Sequence, residues 1–169
     1  MRTLDAWLAA YGESHRNPAN ETIHRIVVPI IYLDVLGLLR AIPLGGSLDG
    51  AAIGAALVLL YYLYYLRLSP ALAAGMAVFT GAGLAALAAL HAVLGGWYVA
   101  ALAGVFVVAW IAQFVGHGIE GRKPSFTQDV QFFLIGPLWV LADVYRRCGG
   151  QPSVASPLSR RTTGPAKSA

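Results

Sequence analysis

ALAAGMAVFTGAGLAALAALHAVLGGWYVAALAGVFVVAWIAQFV, residues 71–115, runs for 45 residues without an Asp, Glu, Lys or Arg. A bilayer crossing takes roughly 20 apolar residues, so this stretch supplies two, Ala71–Leu94 and Trp97–Val115, with Gly95-Gly96 between them. Upstream, AAIGAALVLLYYLYYLRL (Ala51–Leu68) has the length and composition of a third. IVVPIIYLDVLGLLRAIPL (Ile26–Leu44) makes a fourth, interrupted by Asp34 and Arg40. VQFFLIGPLWVLADVY (Val130–Tyr145) is shorter and holds Gly136-Pro137 and Asp143. A re-entrant or interfacial hairpin suits it better than a full crossing.

Composition points the same way. The 169 residues suffice for one domain, and 57% are hydrophobic against 12% charged, about half the charged share of a soluble domain. A small soluble protein lacks the interior to hide so much apolar side chain. The formal charge is +4, but the basic residues form no patch with interleaved aromatics, so a nucleic-acid partner is not expected. They cluster at the ends of apolar runs and in the tail, where anionic lipid headgroups lie. Cys148 is the single cysteine and excludes an internal disulfide. No cleavable signal peptide is expected, because Asp5, Glu13 and His15 interrupt the first residues.

Ahead of the apolar segments, Leu4, Trp7, Leu8 and Tyr11 follow the i, i+3, i+4, i+7 spacing of one helix stripe. This amphipathic helix is expected to lie on the membrane surface or against the rest of the protein. Gly12 and Pro18 end it, and Asn20 suits the N-cap of the next helix. Residues 1–147 thus read as one membrane domain, and 148–169, rich in Gly, Pro, Ser and Thr, as a disordered polar tail. The positive-inside rule puts Arg2, Arg16, Arg25, Arg67, Arg122 and Lys123 on the cytoplasmic side with the N-terminus. Four crossings satisfy it. A fifth would export Arg146, Arg147, Arg160, Arg161 and Lys167. The expected architecture is an all-α polytopic bundle of four spans, an amphipathic N-terminal helix and a short last segment.

Two stretches are far more polar than their surroundings: His15-Arg16-Asn17-Pro18-Ala19-Asn20-Glu21-Thr22-Ile23-His24, entering the first span, and Gln113 to Pro124, leaving the fourth. Ionisable groups beside an apolar span are expensive and mark functional sites by default. The topology brings both stretches to one membrane face, where His15, His24 and His117 can converge. Imidazole ligates Fe, Zn, Cu or Ni, and a carboxylate such as Glu120 can complete a site with open positions. The bland alternatives are a helix-start hydrogen bond for His24 and a helix-dipole contact for His117. His91 falls at the opposite face and reads as an interfacial histidine. Asp34 and Asp143 each have an arginine nearby, Arg40 and Arg146.

HRNPANETIHRIVVPII and, much later, WIAQFVGHGIEGRKP resemble the membrane family of 2-hydroxy-fatty-acid dioxygenases. The resemblance extends from about Tyr11 to about Asp143. It implies an Fe(II) cofactor on His15, His24 and His117, with Glu120 and His91 weaker candidates. Glu120 sits one residue closer to the Gly-His-Gly than in the family, and is rotated relative to His117. The implied substrates are a 2-hydroxy long-chain fatty acid and O2, cleaved to the acid one carbon shorter by α-oxidation, which in the family's characterised member serves phytosphingosine breakdown. Arg16, Arg122 and Lys123 are candidates to anchor the carboxylate, and Asn17, Asn20 and Gln113 to orient ligands. The implied location is an integral membrane one, the endoplasmic reticulum in eukaryotic relatives and the inner membrane in a bacterium. A different class of reading is a non-catalytic lipid-binding or scaffolding membrane protein.

Overall fold

The computed structural model describes residues 2–42, 50–127 and 131–150. The expected tail beyond residue 150, with Arg160, Arg161 and Lys167, lies outside them, as do Leu44 and Val130. Six α-helices follow in chain order: α1 (Leu4–Gly12), α2 (Pro18–Arg40), α3 (Gly50–Leu68), α4 (Pro70–Leu94), α5 (Tyr98–Glu120) and α6 (Phe132–Arg147). No strand occurs among the described residues. The fold is all-α.

Helix α2 begins well before the apolar run because Asn17, not Asn20, caps it. The Asn17 side chain accepts from Ala19 N at 2.9 Å, and Pro18 takes the first helical position, where its missing N–H costs nothing. His24 therefore sits in the second turn of a helix rather than at its start. Ser69, fully buried, caps α4 by accepting from Leu72 N, so α3 and α4 are joined by a single residue. Gly95 adopts a positive φ of 51° and opens a short 3-10 turn to Trp97, which separates α4 from α5.

Contacts fix the directions. Gly116 meets Asn20 and His24, while Gly37 meets Leu102 and Tyr98, so α2 and α5 run antiparallel along their length. Tyr32 bonds Thr80, and Gly37 meets Leu87, so α4 runs parallel to α2. Pro70–Glu120 is thus a helical hairpin. It and Pro18–Arg40 are the two stretches long and apolar enough to cross a membrane, and Ala52–Leu68 is a shorter apolar helix. Only 22% of the most apolar window in Pro70–Glu120 is covered by protein. Large apolar side chains point outward instead, with Val93 81%, Val78 74% and Val108 67% exposed.

The last segment is one continuous helix, not a hairpin. Its 16 residues lie across one end of the bundle. Leu138 and Ala142 pack with Leu4, Tyr65, Leu72, Ala73 and Met76, and Ile135 and Trp139 pack with Trp7, Tyr11 and Val28. The stripe predicted for α1 is what it buries here: Leu4, Trp7 and Tyr11 are each 5% exposed or less. Helix α1 therefore docks on α6, and the two form a cap.

Asp143 ties that cap to α2. Its carboxylate accepts from Arg25 Nε at 2.9 Å and Arg147 Nε at 2.8 Å, with Arg146 at 3.6 Å. Arg25 also pairs with Glu21. Asp34 behaves differently: it is 3% exposed, makes no ion pair with Arg40, and neither carboxylate oxygen has a hydrogen-bond partner among the described residues. Burial opposes ionisation of Asp143, but the bonds from Arg147 and Arg25 outweigh it and hold the carboxyl below the ordinary range. A depressed folded value means the tie stabilises above the unfolded pKa near 4 and fades as pH falls through the folded one. Asp143→Asn is expected to cost about 2 kcal/mol at neutral pH. Thermal unfolding of the detergent-solubilised protein checks this, and wild type and variant should converge as the pH drops below about 4.

Candidate metal centre

Three histidines meet beneath the cap. His15 comes from the turn leaving α1, His24 from α2 and His117 from the last turns of α5. They are 5%, 0% and 4% exposed, and one ring nitrogen from each lies within 4.8 Å of the others. Ring centroids are 4.3 Å apart for His15–His24, 4.6 Å for His24–His117 and 5.2 Å for His15–His117.

Backbone carbonyls set the tautomers. His15 Nδ1 lies 2.7 Å from Tyr11 O and His24 Nδ1 3.0 Å from Asn20 O. A carbonyl oxygen only accepts, so each Nδ1 carries the proton and each Nε2 presents a lone pair. Among the described residues His15 Nε2 has no hydrogen-bond partner. His24 Nε2 is 3.1 Å from His117 Nε2, so without a cation His117 must donate there. Its Nδ1, buried and unpartnered, is the place to which that proton moves when both lone pairs are wanted. Burial pushes the His15 imidazole down to about 4, against the opposing pull of the Tyr11 carbonyl, so the ring is neutral at physiological pH. Neutral imidazoles with inward lone pairs, their outer nitrogens fixed by carbonyls, are the donor set that a first-row divalent metal takes.

A clip from the far end of the sequence holds the set together. The Glu120 carboxylate accepts from Arg16 N at 3.0 Å, Asn17 N at 2.8 Å and Asn20 Nδ2 at 3.1 Å. Asn20, 0% exposed, also donates to Ser14 O at 2.9 Å. The turn carrying His15 is thereby stapled to α2 and to the end of α5. Gly116 makes this possible, because a Cβ there would run into the Asn20 side chain. Tyr11 stacks on His15, with centroids 4.3 Å apart and planes 10° from parallel, and Trp139 lies 5.5 Å away.

A cavity of about 390 Å³ leads away from the imidazoles. Its polar end holds His15, His117, Gln113 and Ser125, and its walls follow α2 from Val28 to Leu39, with Leu57 and Tyr61 from α3. At 1.5 Å per residue the span from Val28 to Leu39 is roughly 16 Å. The wall away from the histidines is mostly apolar, with Tyr32 and Tyr61 among its residues.

Of the residues singled out in the sequence, His15, His24 and His117 converge, and Gln113 lines the cavity. Asn17 caps α2 and Asn20 belongs to the clip. Glu120 is turned to three N–H groups and is absent from the ligand cluster. His91 is exposed at the other end of α4, its ring against Tyr98 at 4.8 Å. Arg16, Arg122 and Lys123 are exposed and none lines the cavity; Arg16 serves through its backbone N–H. Tyr11, Ser14 and Trp139 were not foreseen. The i, i+4 spacing of Tyr11 and His15 was a signal for the first; nothing local marks Trp139.

A family model described as 2-hydroxy-palmitic acid dioxygenase Mpo1-like matches residues 1–148. The chain belongs to the Mpo1-like family. Among its curated relatives is the 2-hydroxy-palmitic acid dioxygenase MPO1 of Saccharomyces cerevisiae, 29% identical over 157 residues, covering 92% of this chain and 87% of the yeast protein. No solved structure matches the chain. In this Mpo1-like protein the two motifs that first drew attention are the two sides of the clip.

Since the clip positions His15 without touching a ligand atom, Glu120→Gln is expected to weaken binding of a divalent metal by roughly tenfold while the helical content stays intact. Gly116→Ala should act in the same direction by displacing Asn20. Cobalt(II) titration followed by its visible absorption, with far-UV circular dichroism alongside, measures both.

Proposed function

We propose that this protein is an integral membrane dioxygenase that shortens 2-hydroxy long-chain fatty acids by one carbon, with iron(II) held by His15, His24 and His117. The observation that supports it most is a cluster of three buried imidazoles, two of which, His15 and His117, line the polar end of a largely apolar cavity. The name of the yeast relative supplies the substrate class.

When bound, iron(II) on three imidazoles keeps open positions and supplies the redox chemistry that O2 requires. The chain's own groups do the rest. The acyl tail lies along Val28, Ile31, Val35 and Leu39, which exclude water from the reacting end. Gln113, 6% exposed beside His117, offers an amide to orient the 2-hydroxyl or carboxylate. Tyr11 and Asn20 carbonyls keep the ligating nitrogens deprotonated. The overall balance closes without a reductant: the C1–C2 bond breaks, C1 leaves as carbon dioxide, C2 becomes the carboxyl of the shorter acid, and O2 accepts the four electrons, with one water formed. Helices α2 to α5 are the four spans, and α1 and α6 lie at the interface. Arg16, Arg25, Arg67, Arg122, Lys123, Arg146 and Arg147 gather at the histidine end, so that end and the N-terminus face the cytoplasm.

Elemental analysis of detergent-purified, anaerobically iron-loaded protein tests this reading. Stoichiometric iron is expected in the wild type, lost in His15→Ala, His24→Ala and His117→Ala, and retained in His91→Ala. Loaded wild type should consume 2-hydroxyhexadecanoic acid and O2 in equal amounts, and the ligand variants should fall by at least a hundredfold. A wild type without bound metal would leave a lipid-binding scaffold as the better account.

A further inference from the structure

A second cavity, of about 510 Å³, lies between α2, α3 and α4. It is back to back with the one below the histidines: Tyr32, Leu36 and Tyr61 form the wall of both. The wall is held in place, since the Tyr32 hydroxyl bonds Thr80 Oγ1 at 2.8 Å and the Tyr32 ring stands edge-on to Tyr61 at 6.4 Å. No histidine lines this second cavity, so the metal chemistry does not account for it.

Its polarity runs the other way. The blind end is closed by Tyr65 and Met76, 1% and 3% exposed. At the opposite end stands Arg40, exposed at the C-terminus of α2. Among the described residues every other arginine and the lysine lie at the histidine end, and Arg40 makes no ion pair. A lone guanidinium at the mouth of an apolar crevice is the complement of a chain with one anionic head. The crevice owes its depth to small residues on facing helices. A Cβ built on Gly54 or Gly81 would meet nothing within 4 Å.

We propose that this crevice is a second lipid site that takes a long-chain fatty acid, its carboxylate on Arg40 and its tail running between α3 and α4 toward Tyr65. Among the described residues Arg40 is the one cation at this mouth, which matches one carboxylate, and the closed far end leaves room for one tail. The site opens at the bundle end remote from the histidines, so it is filled from the other membrane leaflet. The inference does not depend on the reaction assigned above.

Native mass spectrometry of the detergent-solubilised full chain with hexadecanoate tests it. Gly81→Phe, which fills open space, should hold one hexadecanoate fewer than the wild type, whatever the occupancy of the histidine cavity. Gly54→Phe provides a second filling variant from the facing helix. Arg40→Gln should weaken the lost site by about tenfold for hexadecanoate and leave hexadecanol unaffected. The proposal fails if both filling variants, shown helical by circular dichroism, retain wild-type occupancy. It also fails if dihexadecanoyl phosphatidylglycerol occupies the crevice and hexadecanoate does not, since a two-tailed lipid is then the ligand.

Discussion

A single carboxylate, Glu120, collects three hydrogen bonds from a segment about a hundred residues earlier in the chain. Two of those donors are backbone N–H groups at the start of α2, where the helix leaves its first donors unsatisfied and its dipole favours a negative charge. The carboxylate thus completes a helix end and ties down a turn at once. The placement of His15 depends on it. Without the clip, the turn between α1 and α2 loses its bonds to the end of α5, and the Asn20 amide, whose oxygen lies against Gly116, keeps only Ser14 O as an acceptor.

The cap has a parallel logic. Helices α1 and α6 are too short to cross a bilayer, yet nearly every residue on the inner side of α6 is buried. They close the end of the bundle where the polar residues collect, and they do it with aromatic side chains. Tyr11 stacks on His15, Trp139 packs at a tilt against both, and Trp7 meets Phe132 edge to face behind them. Such rings exclude water while leaving the ligating nitrogens exposed to the cavity, so desolvation and access are separated in space. The Asp143–Arg25 tie then keeps the cap seated on α2.

Much of this was legible in the sequence, for identifiable reasons. Long uncharged runs report helices in lipid whatever their partners, and the stripe Leu4, Trp7, Tyr11 reports a buried face. The three histidines were visible because polar residues beside such runs stand out. The errors arose where function depends on a contact distant in sequence. Asn20 looked like a cap because of its type and position, but Asn17 sits before Pro18 and takes the cap, which frees Asn20 for the interior. Glu120 follows His117 by three residues and read as a weaker ligand candidate or a supporting partner; its partners at Arg16 and Asn17 could not be seen from spacing alone. Arg16, Arg122 and Lys123 were judged by charge, and the cavity proves to be lined without them. For Asp34 the sequence left open a pairing with Arg40 or a place facing the polar site; six helical positions put Asp34 and Arg40 on different sides of α2, and no ion pair joins them among the described residues.

The hairpin at Gly95 has one more consequence. His117 can reach His15 and His24 only if α4 and α5 fold back as a pair, so that α5 returns antiparallel along α2. A chain with either helix looped out leaves His117 away from its partners, with the Glu120 clip unmade. The assembled centre therefore reports on the closure of a hairpin whose turn lies more than fifty residues from His15 and His24.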